Sequence, residues 1–380
     1  MPRLSIEIEA RLLDVARLLV DQQRARVIVG AQGNSAGYWF GGGNLTRDPR
    51  GRLVLVGRYR NIGDSRTGLA AGQRGLELAI FQSPDNGQTF DKCVSFSKAD
   101  LRVDNLEVLS IEGSALHWTD DGVELFVSSE KSNIGYPPEF GAYLKPDTGV
   151  WTIERLHAES IEGLKSSKPV TILESSDPGF LHVKDPAVYD SPHGDLLLLF
   201  CTHPYCWSSS NSGFTIRKDG QCQFSSPCYD FFPRGPAWDV AMTRATALVD
   251  LPSVGVLADS RVSLLFYDGG ESIRNLDQHS AAVRRPRGYS CEELGGVAYV
   301  LDADLRNVYR LSHDLPAHVS PHGTGCSRYV DVLQTDDGYI ATWQQSQTDF
   351  SQPLVINFVD RRQIEQFLSG PSIQTRKLVS

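Results

Sequence analysis

The 380-residue sequence lacks long apolar runs and has no excess of positive charge. Its longest uninterrupted apolar stretch runs from Leu196 to Cys201, far short of the roughly 20 residues that span a bilayer. Acidic residues stand near the N-terminus, where a signal peptide needs an apolar segment. The net charge of −9 leaves no basic stripe to neutralise phosphates. These absences predict a cytoplasmic protein whose partners are neither nucleic acid nor membrane.

Signatures of metal sites, nucleotide sites and serine nucleophiles are also missing. The seven cysteines are odd in number and loosely spaced, which fits neither a disulfide framework nor a zinc motif. The nine histidines show no paired-ligand spacing. There is no Gly-x-Ser-x-Gly elbow, and the run Gly41–Gly43 lacks the lysine of a phosphate loop. The sequence therefore indicates no cofactor and no metal site, although a structural ion in a central channel is left open.

What the sequence does contain is a strand pattern that recurs about five times after Gly41. Each unit has a turn rich in Asp and Gly, followed by a short apolar strand. Four clear examples are residues 45–57, 115–127, 187–200 and 332–343, and a less regular one covers 246–267. Hairpins at this spacing are typical of the blades of a β-propeller. The sequence therefore predicts an all-β fold, a five-bladed β-propeller.

The blades can be placed along the chain. They are predicted at about Phe40–Phe96, Leu109–Leu156, Val183–Phe232, Trp238–Leu311 and Tyr329–Val359. Apolar residues at helical spacing predict a short N-terminal helix within 5–23, and 363–368 is predicted as a terminal helix. The chain is thereby divided into a helical segment, 1–30, packed on the propeller and a catalytic propeller domain, 31–380. Polar segments at 63–74 and 271–287 are predicted to be loops at the rim of a pocket.

The segment Ser83–Phe90 matches the Asp-box, Ser-x-Asp-x-Gly-x-Thr-aromatic, of sialidases and other propellers. Its chemistry is that of a hairpin turn. Asp85 can bond backbone amides, Gly87 can adopt positive φ, and Phe90 can pack beneath. A structural turn is expected here. A sialidase-type enzyme is disfavoured, because it needs six blades and an arginine triad.

Short motifs at the predicted blade starts resemble those of the five-bladed glycosidase clan. Blade two opens with Ile111-Glu-Gly-Ser-Ala-Leu116, and blade three opens with Val183-Lys-Asp-Pro-Ala-Val-Tyr189. Blade one has Gly43-Asn-Leu followed by Gly57-Arg-Tyr-Arg60, and the stretch 295–310 is similar to a late-blade segment. The clan includes arabinanases, xylosidases and invertases. Nearest in layout are the mannoside phosphorylases and mannosidases.

Two departures separate the chain from the arabinanase pattern. Arabinanase-like members begin blade one with a catalytic Asp, whereas the candidate positions here carry Gly43 and Asn44. Their acid-Gly-Pro element also follows their Asp-Pro element, whereas here Glu112 precedes Asp185. The resemblance implies an exo-acting glycoside hydrolase acting on an oligosaccharide or glycoside. A phosphorylase of the same fold and a non-catalytic propeller that binds sugar or protein stay open as alternatives.

Glycosyl hydrolysis commonly uses two carboxylates, about 5–5.5 Å apart in retaining enzymes and roughly 6.5–9.5 Å apart in inverting ones. Glu112 is the predicted acid, because its segment is poor in nearby cations and a raised pKa would follow. Asp185 and Asp239 are the predicted base or stabiliser. The alternatives are a Glu112 that caps the Gly113 turn, an Asp185 paired with Lys184, and a strand-end Asp239.

The predicted substrate-binding residues surround these acids. Trp238 is expected to stack on a sugar face, although a core Trp is the alternative. Arg58 and Arg60 share one strand face, which indicates an anionic ligand, an ion pair with Glu112 or Asp185, or a solvated strand end. The remaining predicted substrate-binding residues are Asn44 and Asp331.

Overall fold

The computed structural model describes residues 3–61, 75–134, 138–139, 149–271 and 293–370. Within them the chain begins with a helix and a short strand, continues through five antiparallel sheets and ends with a second helix. The opening elements are α1 (Ile6–Leu19) and β1 (Arg26–Val29). Except for Glu271, the predicted rim loops at 63–74 and 271–287 lie outside the described residues, as does Cys291.

Each sheet forms one blade, and the blades follow one another along the chain. Blade one contains β2 (Trp39–Gly41), β3 (Leu45–Arg47), β4 (Leu53–Arg60), β5 (Glu77–Gln82) and β6 (Asp91–Ser97). Blade two contains β7 (Val108–Thr119), β8 (Gly122–Lys131), β9 (Val150–Ala158) and β10 (Val170–Leu173). Blade three contains β11 (His182–Asp190), β12 (Leu196–His203), β13 (Asn211–Arg217) and β14 (Cys228–Phe232). Blade four contains β15 (Met242–Asp250), β16 (Val262–Gly270), β17 (Leu294–Leu301) and β18 (Tyr309–Arg310). Blade five contains β19 (Ser327–Gln334), β20 (Gly338–Gln345) and β21 (Leu354–Asp360), and α2 (Arg361–Ser369) follows it.

The innermost strands close a ring around one axis. The strands β3, β7, β11, β15 and β19 contact one another in succession, and β19 returns to contact β3. The strand next to each of them is buried along almost its whole length, as in the run Leu196–His203 of β12, because blades pack on each side of it. The predicted five-bladed β-propeller with a short N-terminal helix is confirmed.

The N-terminal strand completes the last blade. β1 pairs antiparallel with β21, with Arg26 opposite Ile356, so blade five combines strands from both ends of the chain. The Arg26 guanidinium also donates hydrogen bonds to the carbonyl oxygens of Gly87 and Gln88 in blade one. The first strand thus ties blade five to blade one. The division of the chain at residue 30 stays a prediction.

The two helices cover an apolar core that they share with blades four and five. α1 buries Leu12, Val15, Ala16 and Leu19 in that core, and Ile364 and Leu368 of α2 join them. The side chain of Ser5 accepts a hydrogen bond from the backbone amide of Ile8 and caps the first turn. Neither helix is long and apolar enough to cross a membrane within the described part of the chain.

The Asp-box segment forms the turn between β5 and β6, as the sequence predicts. Asp85 accepts hydrogen bonds from the backbone amide of Thr89 at 2.7 Å and from its hydroxyl at 2.7 Å. Gly87 has φ of 92°, in the left-handed region that glycine adopts without strain. Phe90 packs against an apolar core cluster. These contacts account for the segment as a structural turn.

A charged network joins blade two to blade three. His117 shares hydrogen bonds with Glu124 Oε2 at 2.9 Å and with Asp190 Oδ1 at 3.0 Å, and Arg217 pairs with Glu124. Burial disfavours the imidazolium, but the two carboxylates outweigh that effect and raise the pKa of His117 to about 9. Since this folded-state pKa lies above the ordinary value of about 6.5, the contribution of protonated His117 to stability is complete below that value and is lost as pH rises through about 9.

We therefore expect His117→Gln to lower the free energy of unfolding by about 2 kcal/mol near pH 6. The difference from the wild type should largely vanish near pH ~10, where the imidazole is neutral. Urea unfolding at both pH values measures it. The matched control is His157→Gln, because the imidazole of His157 is 37% exposed and faces an exposed Asp121. An equal loss for His117→Gln at both pH values would contradict the assignment.

Candidate active site

Charged side chains gather at the end of the ring where the inner strands begin. β7, β11, β15 and β19 start at this end, and their antiparallel neighbours β8, β12, β16 and β20 finish there. The last residues of β4 lie at the same end, opposite β2. We call this group of residues the axial cluster. Its members are Arg58, Glu112, Lys184, Asp185, Arg244, Asp268, Glu293, Arg328 and Tyr329.

Register shifts occur near the start of four inner strands. They lie between Ile111 and Ser114, Lys184 and Ala187, Ala245 and Ala247, and Arg328 and Asp331. A bulge of this kind turns a side chain away from the ordinary alternation of the strand. Asp185 and Tyr329 also have positive φ, 56° and 52°, which is costly for residues other than glycine and recurs at functional sites. The bulges direct polar side chains of mainly apolar strands into the cluster.

Glu112 forms a buried ion pair with Arg58. The Oε2 atom of Glu112 accepts a hydrogen bond from Nη2 of Arg58 at 2.5 Å, and the side chains are only 9% and 3% exposed. Burial disfavours the carboxylate, but the charges of Arg58 and then Lys184 outweigh it and lower the pKa of Glu112. The expectation of a raised pKa is therefore wrong. The cation that lowers it comes from blade one.

Asp185 lies directly beside the Glu112 segment. Its Oδ1 accepts a hydrogen bond from the backbone amide of Gly113 at 3.0 Å. Its Oδ2 lies 3.6 Å from Lys184 Nζ and 3.2 Å from Arg244 Nη1. Burial opposes ionisation of Asp185, but Lys184 and Arg244 hold the pKa of this carboxyl far below its usual range. The structure thus brings the two predicted carboxylates together at the axis, both ionised.

Arg244 is the centre of the cluster's ion pairs. It binds Asp268 at 2.6 Å and Glu293 at 2.5 Å as well as Asp185. Its guanidinium lies 4.0 Å from the centre of the Tyr329 ring. Burial raises the pKa of Asp268 to about 6 even though Arg244 favours its ionised form. One arginine therefore connects carboxylates from blades three and four.

Aromatic rings surround the cations of the cluster. The Trp39 ring faces Arg60 at 4.5 Å and Arg328 at 4.0 Å. Lys184 Nζ lies 5.6 Å from the Trp151 ring and 5.7 Å from the Trp207 ring. Cations over aromatic faces at these distances are mutually attracted. Trp39 is the ring that lies near both predicted arginines, 4.5 Å from Arg60 and 5.8 Å from Arg58, and the sequence did not single it out.

The structure does not bring Asp239 and Trp238 to the axial cluster. Asp239 Oδ2 accepts a hydrogen bond from Tyr267 at 3.0 Å and pairs with Arg310 at 2.9 Å, and Arg310 lies on the outermost strand of blade four. Trp238 stacks on Tyr267, with ring centres 5.7 Å apart, in an apolar core cluster. Both residues precede the start of β15 at Met242, which places them beside the blade and away from its inner edge. The geometry matches the core Trp and strand-end Asp alternative.

The side chains of Asn44 and Asp331 form hydrogen bonds that connect neighbouring blades. The Asn44 amide donates to the backbone oxygen of Leu116 at 2.9 Å and accepts from its backbone amide at 2.8 Å. Asp331 accepts from the backbone amide of Leu45 at 2.8 Å, and burial raises the pKa of Asp331 to about 7. Both line a cavity of about 20 Å³ along the axis, together with Asp185, Arg244 and Tyr329 of the axial cluster, and it has room for about one water molecule. Arg60, in contrast, stays with the cluster through Trp39.

Sequence reasoning missed much of the cluster. The residues that it did not propose are Trp39, Arg244, Asp268, Glu293, Arg328 and Tyr329, and it treated Lys184 only as a partner of Asp185. For three of these residues, their position within a strand is a signal that could have identified them. Arg244 and Arg328 stand within the first three residues of inner strands, and Asp268 near the end of the apolar run Val262–Gly270. No group of three or more His, Cys, Asp or Glu side chains suited to a metal ion occurs in the ranges described above.

Comparison with known proteins identifies the fold. No family model and no curated protein sequence matches the chain. Among solved structures, a glycoside hydrolase aligns with TM-score 0.58 and 11% identity over 100% of this chain and 98% of that one. A β-1,2-mannobiose phosphorylase from Listeria innocua aligns with TM-score 0.53 and 11% identity over 91% and 93% of the two chains. A thermostable family-43 glycoside hydrolase aligns with TM-score 0.53 and 9% identity over 87% and 92%. At these identities the likeness shows a shared propeller fold, the one that the sequence resemblance predicted.

Proposed function

We propose that this protein is a glycoside hydrolase that uses Glu112 as an ionised base or nucleophile in the axial cluster. The single observation that carries the proposal is the state of this carboxylate. Oε2 is held by Arg58, whereas Oε1 makes no hydrogen bond to a described residue, and 7% of the residue stays exposed. An ionised carboxylate with one free oxygen can attack an anomeric carbon or activate water beside it.

Asp185 has a different place in this proposal. Both of its oxygens are bound, Oδ1 by the Gly113 amide and Oδ2 by Lys184 and Arg244. We assign it to positioning, because its bond to Gly113 fixes the bulge that presents Glu112. The acid role that the sequence suggested for Glu112 does not fit a carboxylate whose pKa is lowered. The shared fold with glycoside hydrolases supports the reaction class but does not by itself establish it.

Phosphorolysis is a second candidate, because a structural neighbour of this chain is a phosphorylase and several cations meet in the axial cluster. Those cations are Arg58, Lys184, Arg244 and Arg328. Arginine side chains bind phosphate through paired, charge-assisted hydrogen bonds. The structural neighbour from Listeria innocua is in complex with β-1,2-mannobiose, and we propose a glycan or glycoside as the substrate class here.

A panel of 4-nitrophenyl glycosides tests the function. The panel should cover pentosides and hexosides of both anomeric configurations, each assayed with and without inorganic phosphate. Nitrophenolate leaves without protonation, so turnover does not depend on finding the natural leaving group. Release that is independent of phosphate is the expected result. Strict dependence on phosphate would favour the phosphorylase, and no turnover of any member would favour a binding propeller.

A further inference from the structure

A second concave site lies at the junction of blades five and one. It has a volume of about 430 Å³ and is bordered by the turn between β5 and β6 and by the turn between β19 and β20. These turns lie at the end of the propeller opposite the axial cluster, because β19 enters the cluster at Arg328 and leaves toward Thr335. We call this concavity the junction groove. Its volume is in the range of ordinary ligand sites.

The lining of the junction groove carries three cations and one carboxylate. Arg24, Arg26 and Arg47 line it, and Asp337 is the acidic residue in its lining. Arg26 and Arg47 donate to backbone carbonyl oxygens, in the second case to Gly51 at 2.9 Å. None of the three arginines forms an ion pair with a residue that the structure describes. In a chain with a net charge of −9, such a group is a local attractor for anions.

The floor of the groove is apolar and accessible. Phe358 is 48% exposed, whereas Ile340 and Ile356 beside it are 6% exposed. Phe358 lies directly across from Ile340 in the sheet, and Ile356 precedes it by two positions on the same face of β21. A sugar ring can pack its apolar face on an exposed aromatic ring of this kind. Arginines at the walls can then bind carboxylate or sulfate groups through paired hydrogen bonds.

We propose that the junction groove binds an anionic oligosaccharide, with Phe358 under a sugar ring and Arg24 and Arg47 on its acidic groups. The charge and the aromatic floor point to a ring-containing polyanion. The choice of carbohydrate among such ligands rests on the proposed function. The groove lies at the opposite end of the propeller from Glu112, so it holds a glycan without cleaving it. Carboxylate and sulfate share this chemistry, and the test separates them.

Calorimetric titration of the full chain tests the proposal with three probes: trigalacturonate, which carries only carboxylates, a carrageenan tetrasaccharide, which carries only sulfates, and neutral galactotriose. At least one acidic probe should bind, and raising the salt concentration should weaken that binding. Galactotriose should bind far more weakly. We expect two variants to bind the acidic probe about tenfold more weakly or worse. One is the double variant Arg24→Ala with Arg47→Ala, and the other is Phe358→Ala. Arg26 is left unchanged because it ties blade five to blade one.

The matched control is Arg306→Ala, an exposed arginine paired with Asp304, which should bind like the wild type. Equal binding by the groove variants and the control, or no binding of either acidic probe at about 1 mM, would overturn the proposal. The titration is repeated in Glu112→Gln, where binding should be unchanged. The titration measures binding and not turnover. If the protein cleaves none of the glycosides but the junction groove still binds an acidic probe, the proposed catalytic function fails and this inference stands.

Discussion

Replacing Glu112 by Gln is expected to reduce turnover of a 4-nitrophenyl glycoside by about a thousandfold or more. The amide keeps the shape of the side chain but cannot attack an anomeric carbon or accept a proton from water. The nitrophenyl leaving group distinguishes a carboxylate that acts as nucleophile or base from one that acts as the acid. If Glu112 were the acid, nitrophenyl substrates would be turned over almost normally, because nitrophenolate needs no proton. Steady-state kinetics on the substrate found in the panel measure the effect.

Stability must be followed in the same variant, because Glu112 also neutralises Arg58. The amide oxygen can still accept from Arg58, so we expect a loss of about 1–3 kcal/mol in the free energy of unfolding. The matched control is Glu154→Gln in the same blade. Glu154, on β9, is fully buried and pairs with Lys131 at 2.7 Å, and among the described residues it bonds to no member of the axial cluster. It should lose comparable stability and keep its activity. Equal activity in the two variants would remove Glu112 from the chemistry.

Replacing Arg244 by Leu is expected to cost about 3–5 kcal/mol of unfolding free energy, the usual loss when one partner of a buried ion pair is removed. The change leaves Asp185, Asp268 and Glu293 without a shared cation in a site where Arg244 is 2% exposed. The control Arg306→Ala should cost no more than about 0.5 kcal/mol, since its pair is exposed. Urea denaturation at neutral pH measures both.

The stability lost on removing Arg244 should depend on pH, and the pKa of Asp185 gives the direction of that dependence. In the wild type Arg244 lowers the pKa of Asp185 below its unfolded value, so the stability it contributes is present above about pH 4 and lost as pH falls further. Without Arg244 the carboxyls prefer to be protonated. The gap between wild type and variant should therefore be widest near neutral pH and narrow on acidification. If Arg244→Leu does not fold, Arg244→Gln, which also removes the charge but keeps a hydrogen-bond donor, serves the same test. A gap that does not change with pH would contradict the charge network.

Local sequence predicted some residues of the axial cluster correctly and placed others there wrongly. Glu112 and Asp185 were found because each stands at the start of a strand whose neighbours are apolar, and the propeller brings such starts together. Asp239 and Trp238 looked similar, but they stand before the first residue of β15. Asp239 pairs with Arg310, and Trp238 stacks on Tyr267. A shift of a few residues in a strand boundary therefore decides whether a side chain reaches the axis. Sequence patterns do not fix boundaries to that accuracy.

The sequence by itself determined the fold class, the order of the blades and the Asp-box turn, because alternation, apolar runs and turn chemistry act over a few neighbouring residues. Only the tertiary structure decided the electrostatics of the site. Glu112 is paired with Arg58, 54 positions away, which the sequence left open as one of several alternatives. Asp185 is held by its neighbour Lys184 and also by Arg244, 59 positions away, which the sequence did not propose. The sign of the pKa shift at Glu112 depends on that packing. A pKa follows from the charges and burial around a group in space, and in a propeller those come from other blades.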